Sequence, residues 1–228
     1  MLIGMGIFLL LLLLFAPQLW TQYIFRKYNV RIETLPGTGG ELARHLLDKL
    51  DIRDTGVEST GPNQDHYDPE QGVIRLSPEV FNGKSLTAIV IAAHEVGHAL
   101  QHKLHYRPLY LRWRLARWVA FSEKIASLLL LAFPIIFALT KIPLLGGALL
   151  VAGMVLLLMP VLFHLVTLPV ELDASFGRAL PILTTGRYIP ESALPHARRL
   201  LTAAALTYVA ASLASILNFY RWFVFLRR

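Results

Sequence analysis

The chain has 228 residues, of which 55% are hydrophobic and 16% charged, a balance outside that of ordinary soluble domains. It contains no cysteine, which excludes disulfides and thiolate ligands, so any metal must be held by His, Asp or Glu. A net charge of +7 would suit a nucleic-acid partner, but in so apolar a chain Lys and Arg serve first to set orientation in a bilayer, and no nucleic acid is expected.

The apolar residues are clumped. No charged side chain occurs from Met1 to Ile24, from Ile125 to Thr140, from Ile142 to Val170 or from Leu200 to Tyr220. A helix needs about 20 apolar residues to cross a bilayer. Three runs reach that length, and the second does so if it begins near Trp118 and takes in Glu123 and Lys124. The expected fold is therefore mainly α, a polytopic membrane protein with about four transmembrane helices.

The first run begins apolar at once and has no small-residue cleavage pattern after Phe15-Ala16-Pro17, so an uncleaved anchor is expected. Trp20 and Tyr23 suit an interfacial belt, with Arg26, Lys27 and Arg31 just beyond. A water-facing composition follows. Thr38-Gly39-Gly40 predicts a turn and cap ahead of a helix over Glu41–Leu50, on which Leu42, Leu46, Leu47 and Leu50 fall at helical spacing. The alternation Val73-Ile74-Arg75-Leu76 predicts a hairpin or small sheet over 55–77. Its edge either holds an extended peptide or simply braces the next helix.

That next helix is expected from a cap at Ser85 to about His102, and it carries His94-Glu95-Val96-Gly97-His98. Positions four apart share a helical face, so His94 and His98 can reach one ion while Glu95 points at whatever else that ion holds. Between Lys84 and Lys103 only His94, Glu95, His98 and His102 ionise, and Leu86, Ile89, Val90 and Ala93 form a core-like opposite surface. Burying a carboxylate and imidazoles in such a helix is costly unless something binds them. Gly97 costs about 1 kcal/mol relative to Ala in a helix, which marks close approach by another backbone.

Beyond it, Arg107, Arg112, Arg114 and Arg117 alternate with Tyr106, Tyr110, Trp113 and Trp118, a mixture suited to a helix at the membrane surface. Lys141-Ile142-Pro143 joins the second and third runs as a tight hairpin, which returns the chain to the side it left. The returning run ends in Val170-Glu171-Leu172-Asp173-Ala174-Ser175, where Glu171 is the first acid since Glu123 and the expected third ligand. Asp173 is its rival, but on a helix it points away from Glu171 and better suits orienting a ligand histidine or pairing with Arg178. In the polar return from Phe176 to Arg199, Pro181, Gly186, Pro190 and Pro195 are expected to break any long helix. The last run is rich in small residues that allow close packing in lipid.

The expected organisation is an anchor over 1–24, a small α+β zincin-like metallopeptidase domain over 25–117, a helical hairpin over 118–170, a ligand segment and return over 171–199, and a last span with a basic tail over 200–228. Catalytic zinc commonly takes three protein ligands, here His94, His98 and Glu171, as a gluzincin-type set. It lowers the pKa of water toward about 7, and Glu95 would take the proton and pass it to a leaving amine. His66, Tyr67, Arg178 and His164 are the candidates for stabilising the oxyanion, His164 being an ionisable group inside a span. These expectations describe hydrolysis of peptide bonds in membrane-associated or membrane-proximal proteins. The alternatives are an intramembrane protease of the site-2 type and a non-catalytic adaptor with a structural zinc, which would want four protein ligands.

Five blocks in order resemble the YugP-like family of membrane zinc metallopeptidases: Asp65-His66-Tyr67-Asp68-Pro69, Arg75-Leu76-Ser77-Pro78, Ala92-Ala93-His94-Glu95-Val96-Gly97-His98-Ala99, Leu168-Pro169-Val170-Glu171 with Asp173-Ala174-Ser175, and Leu206-Thr207-Tyr208-Val209-Ala210-Ala211. The resemblance implies a membrane-embedded metallopeptidase with a cytosol-facing or membrane-facing site. More distantly, the chain is similar to the HtpX-type and CAAX prenyl peptidases, whose third ligand lies in a Glu-x-x-Ala-Asp block. Glu171 and Ala174 match that block, but Ser175 stands where those enzymes carry Asp, which leaves Asp173 as a possible substitute. Lys and Arg gather between the first two runs, against Lys141 alone in the hairpin turn, so the positive-inside rule predicts a catalytic side facing the cytoplasm of a bacterial-type plasma membrane. Arg221, Arg227 and Arg228 oppose this unless the last helix is tilted or re-entrant.

Overall fold

A computed structural model describes the backbone of residues 2–226. The side chains of 1–14, 120, 218, 219 and 221–228 lie outside the described residues, and with them most of the expected anchor and the basic tail. Nine α-helices and three strands are described. They are α1 (Leu2–Tyr28), α2 (Gly39–Lys49), β1 (Gly56–Ser59), β2 (His66–Asp68), β3 (Val73–Leu76), α3 (Pro78–Phe81), α4 (Leu86–Lys103), α5 (Arg107–Thr140), α6 (Pro143–Leu156), α7 (Leu158–Leu172), α8 (Leu180–Thr185) and α9 (Leu194–Leu226), with a π-helical stretch at Asp173–Ala179. They form two compact units, one of residues 1–107 with 169–207 and one of residues 108–168 with 208–228.

In the first unit, local chemistry sets the element boundaries. Helix α2 starts two residues before the expected Glu41 because Thr38 is its N-cap. The Thr38 hydroxyl accepts from the Glu41 N–H at 3.2 Å, and the Glu41 carboxylate accepts from the Thr38 N–H at 2.7 Å, a reciprocal capping box. The small sheet has the order β1-β3-β2, with β1 parallel to β3 and β2 antiparallel to it. It is thus a hairpin, β2 to β3, extended by a parallel strand. Ile74 and Leu76 point from β3 into a core shared with Leu42, Leu46 and Leu47 of α2 and Ile89, Val90 and Ala93 of α4. The Thr87 hydroxyl donates to the Phe25 carbonyl at 3.0 Å, which ties α1 to the start of α4.

In the second unit, α5 is one continuous helix of 34 residues, or about 51 Å at 1.5 Å per residue, against a hydrocarbon core of about 30 Å. The basic, aromatic stretch is therefore not a separate surface helix. It forms the first turns of the helix that carries the second apolar run. A Cβ on Gly153 of α6 would stand 2.8 Å from Leu130 of α5, so the hairpin packs with almost no space between its arms. Helices α6 and α7 are parted at Leu157, where Pro160 has no N–H to offer the Leu156 carbonyl.

Among the described residues, three helical stretches are long and apolar enough to cross a membrane: Arg107–Thr140, Pro143–Thr185 and Glu191–Leu217. Of the four expected spans, the first thus falls largely outside the description. The second of these stretches runs past its expected end at Val170. Pro181 does not break it: the helical path runs from the π-helical stretch through Pro181 into α8 and stops only at Gly186.

Candidate metal centre

The centre is built on α4. Ser85 caps this helix, its hydroxyl accepting from the Ala88 N–H at 3.1 Å and donating to Asn29 at 2.7 Å. With that start and the 3.6-residue period, His94 and His98 project side by side. Their rings meet edge to face, 4.7 Å between centroids. Glu171 arrives from the end of α7. Its Oε2 lies 3.2 Å from His94 Nε2 and 3.5 Å from His98 Nε2, and one donor atom from each residue falls within 4.8 Å of the others. Glu171 is 2% exposed and His98 and Glu95 each 7%, so the carboxylates and the His98 imidazole are nearly out of water.

The proton on His98 can be placed by elimination. The Gln101 amide nitrogen faces the Val170 carbonyl and Asp173 Oδ2, both at 2.8 Å and both acceptors, so that end must be the NH2 group. Gln101 Oε1 therefore faces His98 Nδ1, at 2.9 Å, and an amide oxygen only accepts. His98 thus carries its proton on Nδ1. Nε2 then meets the Glu171 carboxylate either as part of an imidazolium or across a cation. His94 Nδ1 is engaged likewise, by the Ser175 hydroxyl at 3.1 Å.

This donor set fits zinc. Two imidazole nitrogens and one carboxylate oxygen form an established catalytic ligand set, and in each ring the nitrogen away from the centre is held by a hydrogen bond. Tetrahedral ligands about 2.0–2.1 Å from one zinc stand roughly 3.3–3.4 Å apart. The two His–Glu separations of 3.2 and 3.5 Å bracket that figure.

The approach of α4 to the π-helical stretch makes this convergence possible. A Cβ on Gly97 would come 2.7 Å from the Ala174 carbonyl oxygen, so any side chain there would push the two segments apart. Gly97 thus meets the close backbone approach expected of it. The π-helical turn begins directly after Glu171-Leu172, a distortion often found at functional sites.

The other expected residues are placed as follows. Asp173 is not among the three convergent atoms. It accepts from Arg178 Nε at 2.7 Å and from Gln101, and so reaches His98 through Gln101. Arg178 lies over the Tyr106 ring, 5.7 Å from its centroid. Burial raises the Tyr106 phenol above its ordinary value. The Tyr67 hydroxyl is bonded to His102 Nδ1 at 2.7 Å, one turn along α4 from His98. His66 is exposed and donates from Nδ1 to the Gln64 carbonyl at 2.7 Å. His164 belongs to the other unit, where its Nδ1 is buried. Two contributors escaped the sequence reading. Gln101 was available as the residue three after His98 on the same helical face. Ser175 stood in the position of a known aspartate, but its bond to His94 spans 81 residues of sequence.

A His-Glu-x-x-His helix meeting a carboxylate from a second helix is the donor arrangement of zinc metallopeptidases. Comparison with known proteins gives the same class: the sequence profile of the family described as "Putative neutral zinc metallopeptidase" matches residues 3–227, and the chain belongs to that family. It is 40% identical over 209 residues to the "Putative membrane protease YugP" of Bacillus subtilis (strain 168), covering 89% of this chain and 88% of that protein. No solved structure matches the chain.

Proposed function

We propose that the chain is a membrane-bound zinc endopeptidase, with His94, His98 and Glu171 as the zinc ligands and Glu95 as the general base. The observation that carries this reading is the convergence of three donor atoms whose imidazoles are each engaged from behind. The name of the Bacillus relative, a membrane protease, supports a protein or peptide substrate.

Bound at these residues, zinc supplies Lewis acidity and brings the pKa of a water into the neutral range. Glu95, buried beside His94, takes the proton from the attacking water as the C–O bond forms and delivers it to the leaving amine as the C–N bond breaks. Of the four candidates for the oxyanion donor, Tyr67 and Arg178 are tied to the ligand helix and to the segment facing it; the Tyr67 hydroxyl is bonded to His102 Nδ1, one turn along α4 from His98. Arg178 has its Nε committed to Asp173. The charge distribution supports a site facing the cytoplasm and substrates presented at the membrane surface.

The test is zinc content together with cleavage of a quenched peptide, for the wild type and Glu95→Gln. Both are expected to hold one zinc per chain, while the variant loses roughly 10²–10⁴-fold in rate. Zinc in both with cleavage by neither would favour the non-catalytic adaptor and overturn the peptidase reading.

A further inference from the structure

Gln101 is fully buried, and its surroundings leave its amide no freedom. Burying an amide is unfavourable unless all its hydrogen bonds are made, and here they are made to three different places. The oxygen accepts from His98 Nδ1–H at 2.9 Å. The nitrogen donates to the Val170 carbonyl and to Asp173 Oδ2, each at 2.8 Å. Turning the amide over would set its oxygen against a carbonyl and a carboxylate, so the observed orientation is the one the site permits.

These partners lie on both sides of the metal centre. On α4, Gln101 holds the ring of one ligand and fixes its tautomer. On the facing segment it grips the residue before Glu171 and a residue two beyond it, so the backbone that carries the third ligand is bracketed. Asp173 is anchored in turn by Arg178, whose Nε donates to the same oxygen at 2.7 Å. A chain of contacts therefore runs Arg178–Asp173–Gln101–His98. Ser175 serves His94 separately.

We propose that Gln101 is a positioning residue of the metal centre, setting the His98 tautomer and the spacing between His98 and Glu171 with one side chain. This rests on the reading of His94, His98 and Glu171 as zinc ligands. An apolar residue at position 101 would pack as well and would satisfy the core's hydrophobic demand, but it would leave His98 free to rotate and the Glu171 segment free to move. Ligand-orienting groups of this kind typically contribute roughly 10–100-fold to metal affinity.

The experiment uses the full-length purified protein, stripped of metal. Zinc affinity is measured by competition with a chromophoric chelator, and the visible spectrum of the Co²⁺ form reports ligand geometry. Three proteins are compared: the wild type, Gln101→Met, which keeps the volume and loses the bonds, and Ile89→Ala, which removes buried volume from α4 away from the histidines. Gln101→Met is expected to bind zinc roughly 10–100-fold more weakly with an altered Co²⁺ spectrum. Ile89→Ala is expected to melt lower while keeping the wild-type affinity and spectrum. Equal affinity of Gln101→Met and wild type would overturn the proposal, as would an equal loss in Ile89→Ala, which would make the effect one of general stability. Failure of the wild type itself to bind zinc would instead overturn the metal-centre reading beneath it.

Discussion

His102 shows how a single side chain couples the sheet to α4. Burial lowers its pKa from the usual 6.5, and the nearby His105 acts in the same direction. A folded pKa below the unfolded one means that the neutral ring contributes stability fully above pH 6.5, and that this contribution is lost as pH falls through the folded value. The melting temperature should therefore drop between pH 7.5 and pH 5, and the drop should be smaller in His102→Gln, which still bonds Tyr67 but does not titrate. Equal acid sensitivity in the two proteins would show that His102 contributes nothing to it. Asp68 behaves in the same sense for another reason: its bond to Arg75 at 2.6 Å holds the carboxyl below its ordinary range. Asp65 goes the other way, since burial outweighs the bonds it accepts from Ser77 and raises its pKa.

For elements, the decisive contact is that between α4 and the π-helical stretch. Gly97 was legible from the sequence as a cost, because a helix interior disfavours glycine. Only the fold names the backbone it admits, the Ala174 carbonyl 2.7 Å from where a Cβ would be. Gly97→Ala gains about 1 kcal/mol of helix propensity but incurs overpacking of about 1–3 kcal/mol against backbone that cannot rotate away. The expected outcome is a net loss of up to about 2 kcal/mol, together with weaker zinc binding, because the segment pushed away carries Glu171 and Ser175. Thermal melts and chelator competition measure both. A higher melting temperature with unchanged affinity would mean the approach is looser than the structure shows. The caps on α2 and α4 needed no tertiary information, since Thr38 and Ser85 reach amides only three residues away.

For the whole molecule, the proposed orientation rests on where the charges lie. Because the chain has no cysteine, a single introduced thiol reports its side of the membrane without background. Asp54→Cys, at an exposed position, is expected to react with an impermeant maleimide only after cells are permeabilised. Labelling in intact cells would reverse the proposed cytoplasmic orientation.

The sequence by itself determined the features whose partners are covalently close. These are the apolar runs, the caps and the two histidines, whose four-residue spacing puts them on one face whatever surrounds the helix. It also made Glu171 the expected third member of the group, since acids are absent from the preceding run. Only the tertiary structure decided which groups stand behind the proposed ligands. Gln101 meets Val170 and Asp173 across 69 and 72 residues of sequence, and Ser175 meets His94 across 81. Such contacts depend on how closely two helices approach and at what rotation. No local spacing encodes that, because it is set by the packing of Gly97 against Ala174 and by the widened helical turn after Glu171.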